Sequence, residues 1–526
     1  MMKQRAHWFV GTVIVVIVLL SLFQTWEFAK RTPSDAVYPL VHGYMPDYYW
    51  YLSLMEQGTE GMLRLTSHHT PEPFPPQFVN TFFPFFGIVA NGIGLSLPVM
   101  YLILRIVFGI SLLAMGFFLA TTLFASLRQR FFAFALMVIG VPLWFWDGTT
   151  VRTYGDFWAE LDPIVRISYL PHHLAANSVL IATFLLFSYA FKNRKLWFAI
   201  VSGLTGACAI WLNPASLFPI VGALGFAIIL EPRRIPQRIP TILIFFAIIF
   251  LPVAALMRLE HSVFPWTAFR DWERLVSYPI DVPGYLKVLG LSAIPAILVI
   301  PAVAAKRDVL WRLIAGWFLT PIVGLGLLQW YLPVSNARYL QSAAYIPTAL
   351  LAAYGIESFT SWLTRRGITK TASIAFILLF FIGVSIPSYS ASISQQMRSV
   401  DRDSRNLLIY VPKGVTEGMN WLNQNGQKGQ VVAAPGWVST MIPAFTNKRT
   451  LTGHPTFTYN GSEKQYDLDR LFQMTDQAEG ERILGKYGVR YLWAESSSSE
   501  SGRFLQRMGL APVFSNSAVT IYEGVR

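Results

Sequence analysis

The sequence holds one cysteine, Cys208, in 526 residues. No disulfide can form within the chain, so any part folded outside a membrane must hold by packing alone. Charge is scarce too: 13% of residues are charged, against 53% hydrophobic and 15% aromatic, and the mean hydropathy is +0.44. That balance excludes an ordinary soluble protein and describes a chain solvated largely by lipid. A Gly-rich phosphate loop, a GxSxG elbow and a CxxC pair are all missing. P-loop NTPases, serine hydrolases of the elbow type and dithiol redox proteins fall away with them.

What the chain has instead is a sign pattern. Eleven apolar stretches, at roughly 8–28, 98–125, 130–146, 171–191, 196–213, 215–230, 240–256, 284–304, 309–332, 337–355 and 371–388, are long enough, or nearly so, to cross a hydrocarbon layer that takes about 20 helical residues. Lys and Arg fill alternate connections: Lys3 and Arg5, Arg128 and Arg130, the 192–195 and 233–238 clusters, Lys306 to Arg312, and Arg365 to Lys370. By the positive-inside rule these lie in the cytoplasm, which places the N-terminus there and, after an odd number of spans, the C-terminus outside. The formal charge of +13 then needs no nucleic-acid partner, because the basic loops face anionic lipid. The first stretch is followed by bulky Phe23, Trp26 and Phe28 rather than a small-residue cleavage site, so it reads as an uncleaved span.

The expected outer loops carry the chemistry. The first, residues 29–97, contains PDYYWYLSLMEQG, which predicts a short amphipathic helix with Asp47 in its first turn and Glu56 near its end. Asp47 there serves either the helix dipole or a reaction. Downstream stand His68, His69 and Glu72, then NTFFPFFGIVANGIGL, an expected interfacial or re-entrant element. The second loop, 147–170, concentrates Asp147, Arg152, Asp156, Glu160, Asp162 and Arg166 before His172 and His173. Such density suits a wet cavity, and equally a solvated loop with internal ion pairs. No HxxxH or carboxylate spacing fixes a metal site, so a divalent cation stays an open alternative. A third loop, 257–283, mixes charge with Phe264, Trp266 and Trp272 and discriminates little. Arg338, beside Asn336, Tyr339 and Gln341, is an outer-side arginine suited either to holding an anion or to snorkelling toward headgroups.

After residue 390 the chain turns polar. Short β-type runs (QVVAAP, RTLTG, RYLWAE, AVTIYEGV) alternate with helical stretches near 413–423, 436–446, 464–485 and 501–509, predicting a small extracytoplasmic α/β domain over 410–526, after a membrane domain over 1–390. His454 in LTGHPTFTYNG is its one candidate functional group, and a plain turn explains it equally well.

Three stretches, PDYYWYLSLMEQG, SNARYLQSAAYIPTALLAAYGIE and NKRTLTGHPTFT, give the chain a resemblance to the GT-C class of membrane glycosyltransferases. The resemblance implies a polytopic α-helical fold of many spans, in keeping with the eleven stretches, and the lack of intrachain disulfides with the compact inner loops points to a plasma (inner) membrane. It implies transfer of a sugar from a polyprenyl-phosphate donor to a lipid, glycan or protein acceptor, with inversion. Asp47 would act as base, and Arg338, Tyr339, Arg152, Arg166, His172 and His173 would bind substrate or carrier phosphate. Glu56, His68, His69, Asp156, Glu160 and Asp162 would complete the cavity or hold a cation. The first loop has no DxD or ExD and the C-terminal domain no WWD, which sets the oligosaccharyltransferase branch aside in favour of a monosaccharide transferase. A catalytically silent carrier-binding or assembly subunit, or a transporter, remains the alternative.

Overall fold

The computed structural model describes residues 2–524 except 156–157, 159, 233–234, 474–475, 496–504, 506–507 and 509. Contacts divide the chain into two compact units: Met1–Phe23, Leu104–Leu256 and Glu273–Ser399 form the first, and Gln24–Ile103, Met257–Trp272 and Val400–Arg526 the second.

Helices lie in all eleven apolar stretches, but the one expected over 130–146 stops at Ile139 before the strand Trp144–Trp146, and the one expected over 337–355 is broken between Leu340 and Tyr345. Six helical segments among the described residues are long and apolar enough to cross a membrane (Leu97–Leu123, Pro171–Asn193, Ile235–Ser262, Val282–Ala305, Val309–Trp330 and Thr371–Arg405). A seventh is added if Trp8–Ser21 and Phe23–Lys30, bent by 45°, count as one span. The remaining four fall short for visible reasons. Leu127–Ile139, Leu196–Leu212 and Leu217–Ile229 have 13, 17 and 13 residues, and Tyr345–Arg365 ends in the polar ESFTSWLTR.

The first unit is held by large buried rings, among them Trp317, Phe184, Phe187 and Phe245. Where there is no ring there is often no side chain at all. A Cβ on Gly316 would meet the Cα of Ala223 at 2.7 Å, so Val309–Gly326 and Leu217–Ile229 touch backbone to backbone, the approach small residues permit between apolar helices. Arg312 is buried rather than solvated: it pairs with Glu231 at 2.7 Å and donates to the carbonyls of Leu230 and Ala304.

In the second unit the expected first-loop helix forms over Met45–Thr59, with Pro46 in its first turn. The apolar run after it forms Phe82–Gly92, and the two pack through glycine, Gly58 against the Pro84 carbonyl and Gly87 against the Met55 carbonyl. Gln57 closes the following turn by exchanging two hydrogen bonds of 3.1 Å with the Thr66 backbone. Ala36–Val37 pairs antiparallel with Val411–Pro412, and Tyr49 donates its hydroxyl to the Leu408 carbonyl at 2.6 Å. Residues 24–103 thus share a unit with residues 400–526. The α/β part carries a five-stranded mixed sheet in the spatial order Arg449–Thr450, Val431–Ala433, Val489–Glu495, Val519–Glu523, Ala511–Ser515. The first three strands run parallel, and Val519–Glu523 runs antiparallel to both of its neighbours. The expected helix over 464–485 is two, Gly461–Gln473 and Gln477–Tyr487. The helix expected near 501–509 falls almost wholly outside the described residues.

Candidate functional site

Asp47 projects from the first turn of Met45–Thr59, and its Oδ1 lies 3.1 Å from Nε2 of His454. The pair is asymmetric: the Asp47 side chain is 44% exposed, the His454 side chain 6%. His454 owes its position to the turn read from the sequence. Its Nδ1 accepts the backbone N–H groups of Thr456 at 3.1 Å and Phe457 at 3.3 Å, while its ring stacks on Phe457 with centroids 4.4 Å apart. A nitrogen that accepts two N–H groups carries no proton, so the proton sits on Nε2 and is donated to Asp47. One carboxylate oxygen is thereby oriented by a neutral imidazole. Among the described residues no hydrogen bond engages the other.

Segment 67–70 of the first loop lies alongside segment 450–458. Ser67 donates to the Phe457 carbonyl at 2.8 Å, the Thr450 N–H donates to the His68 carbonyl at 2.9 Å, and Thr458 donates to the His69 carbonyl at 2.9 Å. The imidazole of His69 is fully buried, packed edge to face on His454 and against Trp50. Burial, with His454 and His68 nearby, holds it well below the ordinary histidine range; burial and Arg449 bring His68 down to about 3. Both rings are neutral walls. Beyond them Lys464, 2% exposed, pairs with Glu72 at 2.7 Å.

Glu56 stands nine residues after Asp47, about 13 Å along the helix axis, and belongs to another cluster. Burial first, then Glu60, raises its carboxyl to about 7, while burial brings the Lys448 ammonium down to about 8. Lys428 pairs with Glu60 at 2.8 Å.

In the first unit Glu160 is buried and accepts from the Ala343 N–H and the Asn177 amide, both at 3.3 Å. Its other oxygen is 3.5 Å from Nδ1 of His173, and burial raises its carboxyl to about 7. His172 meets His173 edge to face, with centroids 4.5 Å apart. Arg338 is gripped by the Glu273 carboxylate and donates to Gln341 at 2.8 Å. Tyr339 is buried against Phe218. Arg166 caps the carbonyls of Met137 and Val138 at 3.0 Å and lies over the Tyr345 ring.

Asp162 accepts from the Ile164 and Val165 N–H groups and from Ser392, which fixes a turn. Asp147 likewise accepts from Thr149 and Thr150, which hold its carboxyl near 2, with exposed Arg152 at 4.0 Å. Asp156 lies outside the described residues. Among the described residues no three His, Cys, Asp or Glu side chains gather as metal ligands would. Sequence reasoning named His454 without its partner, left Glu273 among the charges of the third loop without a role, and missed Asn177 and Lys448. No local motif marks any of these, since their roles come from residues far away in the chain.

Neither a protein-family profile nor a characterised protein matches the chain by sequence. Solved structures do match it in fold. ArnT from Cupriavidus metallidurans, bound to undecaprenyl phosphate, superposes with a TM-score of 0.53 at 10% identity, covering 97% of both chains. The chain has the GT-C fold. The Archaeoglobus fulgidus oligosaccharyltransferase matches with a TM-score of 0.51 at 11% identity over 92% of this chain and 69% of that one. Mycobacterial arabinofuranosyltransferase AftD gives 0.53 at 15% identity over 97% of this chain, which spans 40% of it. A carboxylate with one oxygen oriented by an imidazole can present the other to a hydroxyl group.

Proposed function

We propose that this chain transfers a sugar from a polyprenyl-phosphate donor to an acceptor on the outer face of a plasma (inner) membrane, with Asp47 as general base. The observation that carries this reading is the Asp47–His454 pair: a half-exposed carboxylate, one oxygen engaged by a buried neutral imidazole. In the step proposed, the acceptor hydroxyl gives its proton to Asp47 as its oxygen bonds to the anomeric carbon. The bond from that carbon to the phosphate oxygen breaks, and polyprenyl phosphate leaves with inversion. The reading agrees with a GT-C fold whose solved neighbours include an arabinofuranosyltransferase and an ArnT structure bound to undecaprenyl phosphate. Eleven crossings, a cytoplasmic N-terminus and an extracytoplasmic α/β part belong to the same proposal, supported by the alternation of basic loops.

Arg338 is the proposed partner of the carrier phosphate. Because Glu273 already grips it, a phosphate binds there only as Glu273 yields, so Glu273→Gln should tighten carrier binding. The deciding experiment is transfer from labelled polyprenyl-phosphate sugars by the full chain in lipid. Asp47→Asn should lower turnover by about 10² to 10⁴ with carrier binding kept, and His454→Ala by a smaller factor. Carrier binding without turnover from any donor in the parent would make the chain a binding subunit instead.

A further inference from the structure

Residues of Leu127–Ile139, Tyr345–Arg365 and Lys370–Arg402, all of them in the first unit, line a cavity of about 270 Å³. Its apolar wall is Phe131, Phe132 and Ala135 from the first helix, Ile356 from the second, and Ile374 and Leu378 from the third, while Gln129 and Thr360 are the neutral polar residues that line it. Thr360, the neutral polar group on the second helix, is fully buried and spends its hydroxyl on the Glu357 carbonyl at 2.9 Å, so it offers no handle to a polar guest. An apolar cavity of about 150 Å³ already admits benzene, so this one has room for a length of alkyl chain.

The lip of the cavity is charged. Arg128, 52% exposed, lies there 3.4 Å from Glu357, itself 21% exposed. Arg128 and Arg130 both occupy the opening turn of Leu127–Ile139, where the helix dipole disfavours cations. Arg130 answers this by donating to the carbonyls of Phe124 and Ala125. Arg128 has a carboxylate partner at the outer limit of hydrogen-bonding distance, and half of its surface faces outward. Arg365 and Arg366 end the second helix about two turns beyond Glu357, so the positive field at this end exceeds what one glutamate balances.

We infer that this cavity binds one anionic phospholipid, an acyl chain among Phe131, Phe132, Ala135 and Ile374 and the phosphate against Arg128. The occupant follows from chemistry: hydrocarbon and phosphate must belong to one molecule available at the ends of membrane helices, and a net negative headgroup answers the surplus of arginine. This site is independent of sugar transfer. Glu357 competes with the phosphate for Arg128 and so sets the affinity.

The test uses the full chain in nanodiscs of phosphatidylglycerol and phosphatidylcholine at equal amounts, with retained lipids counted by native mass spectrometry after release into detergent. The parent should keep one phosphatidylglycerol per chain, preferred at least tenfold. Arg128→Ala should lower that retention at least tenfold, and Ala135→Phe, which fills the cavity and leaves the charges alone, should do the same. Glu357→Gln should raise it. Equal retention of both lipids by the parent, an ordinary lipid annulus, overturns the inference. So does a Glu357→Gln variant that binds no better than the parent, a result that misfolding of the other two variants cannot mimic.

Discussion

The two units hold their candidate site charges in different ways. In the first, the site arginines that are buried or nearly so are already engaged: Arg338 by Glu273 and Arg166 by two carbonyls. In the second, Asp47 meets a neutral imidazole and keeps nearly half of its side chain exposed. A closed ion pair in a poorly solvated region tolerates little change, whereas a carboxylate held by a neutral donor keeps its charge available. The first arrangement suits a scaffold that binds. The second suits a group that takes a proton.

The sharpest way to break that contrast is Asp47→Asn. It keeps the shape and can still meet His454, but removes the charge. Transfer should fall by about 10² to 10⁴ while the thermal midpoint in detergent stays within a few degrees of the parent. An equal loss of transfer and of stability would put Asp47 among the closed pairs of the first unit.

Glu273→Gln comes next. Removing one partner of a buried pair leaves the other uncompensated, at a cost of about 3 kcal/mol. Glu273 also accepts the Ser335 N–H, so part of the loss falls on the turn before Arg338. If Arg338 holds the carrier phosphate, adding polyprenyl phosphate should restore much of the lost midpoint, because a ligand that binds only the folded state stabilises it by mass action. Thermal unfolding of Glu273→Gln with and without carrier reads both halves. No rescue by carrier would leave Arg338 as scaffold.

How far the sequence reaches follows the same division. Apolar periodicity located every long helix, and β-branched runs located four of the five strands. Ala511–Ser515, which opens with alanine and proline, carried no such signal. Asp47 was legible because Pro46 and the aromatic spacing mark its helix. His454 was legible as a residue and not as a partner, since the two stand 407 positions apart. Lys464 with Glu72, 392 apart, and Arg338 with Glu273, 65 apart, were hidden for the same reason. Local pattern reports the face a residue presents. It does not report what long-range closure brings to that face.

Asp47 also depends on packing that leaves no chemical trace. Gly87 touches the Met55 carbonyl directly, so Gly87→Ala forces the Met45–Thr59 and Phe82–Gly92 helices apart. Overpacking of this kind costs about 2 kcal/mol. Turnover should fall further than stability implies, because the helix that moves carries Asp47. The kcat of Gly87→Ala, measured at a temperature where the variant is fully folded, checks this. An unchanged kcat would show that the Asp47–His454 pair is positioned by the Gly453–Thr458 turn alone.

The smallest effect belongs to Glu56, at the other end of the same helix. Its folded carboxyl is raised from 4.5 to about 7, chiefly by burial and then by Glu60. A raised acid binds its proton more tightly in the folded chain, so its contribution is complete below pH 4.5 and is lost as pH rises through 7. The shift sets an upper limit of about 3 kcal/mol, which partial exposure to solvent reduces to about 1. The parent's thermal midpoint should therefore fall between pH 5 and pH 8, and the midpoint of Glu56→Gln should fall less. If transfer measured alongside follows the same pH curve in the parent and not in the variant, the protonation of Glu56 reaches Asp47 through their shared helix. A transfer profile identical in both would confine Glu56 to stability and leave the chemistry to the pair at the helix start.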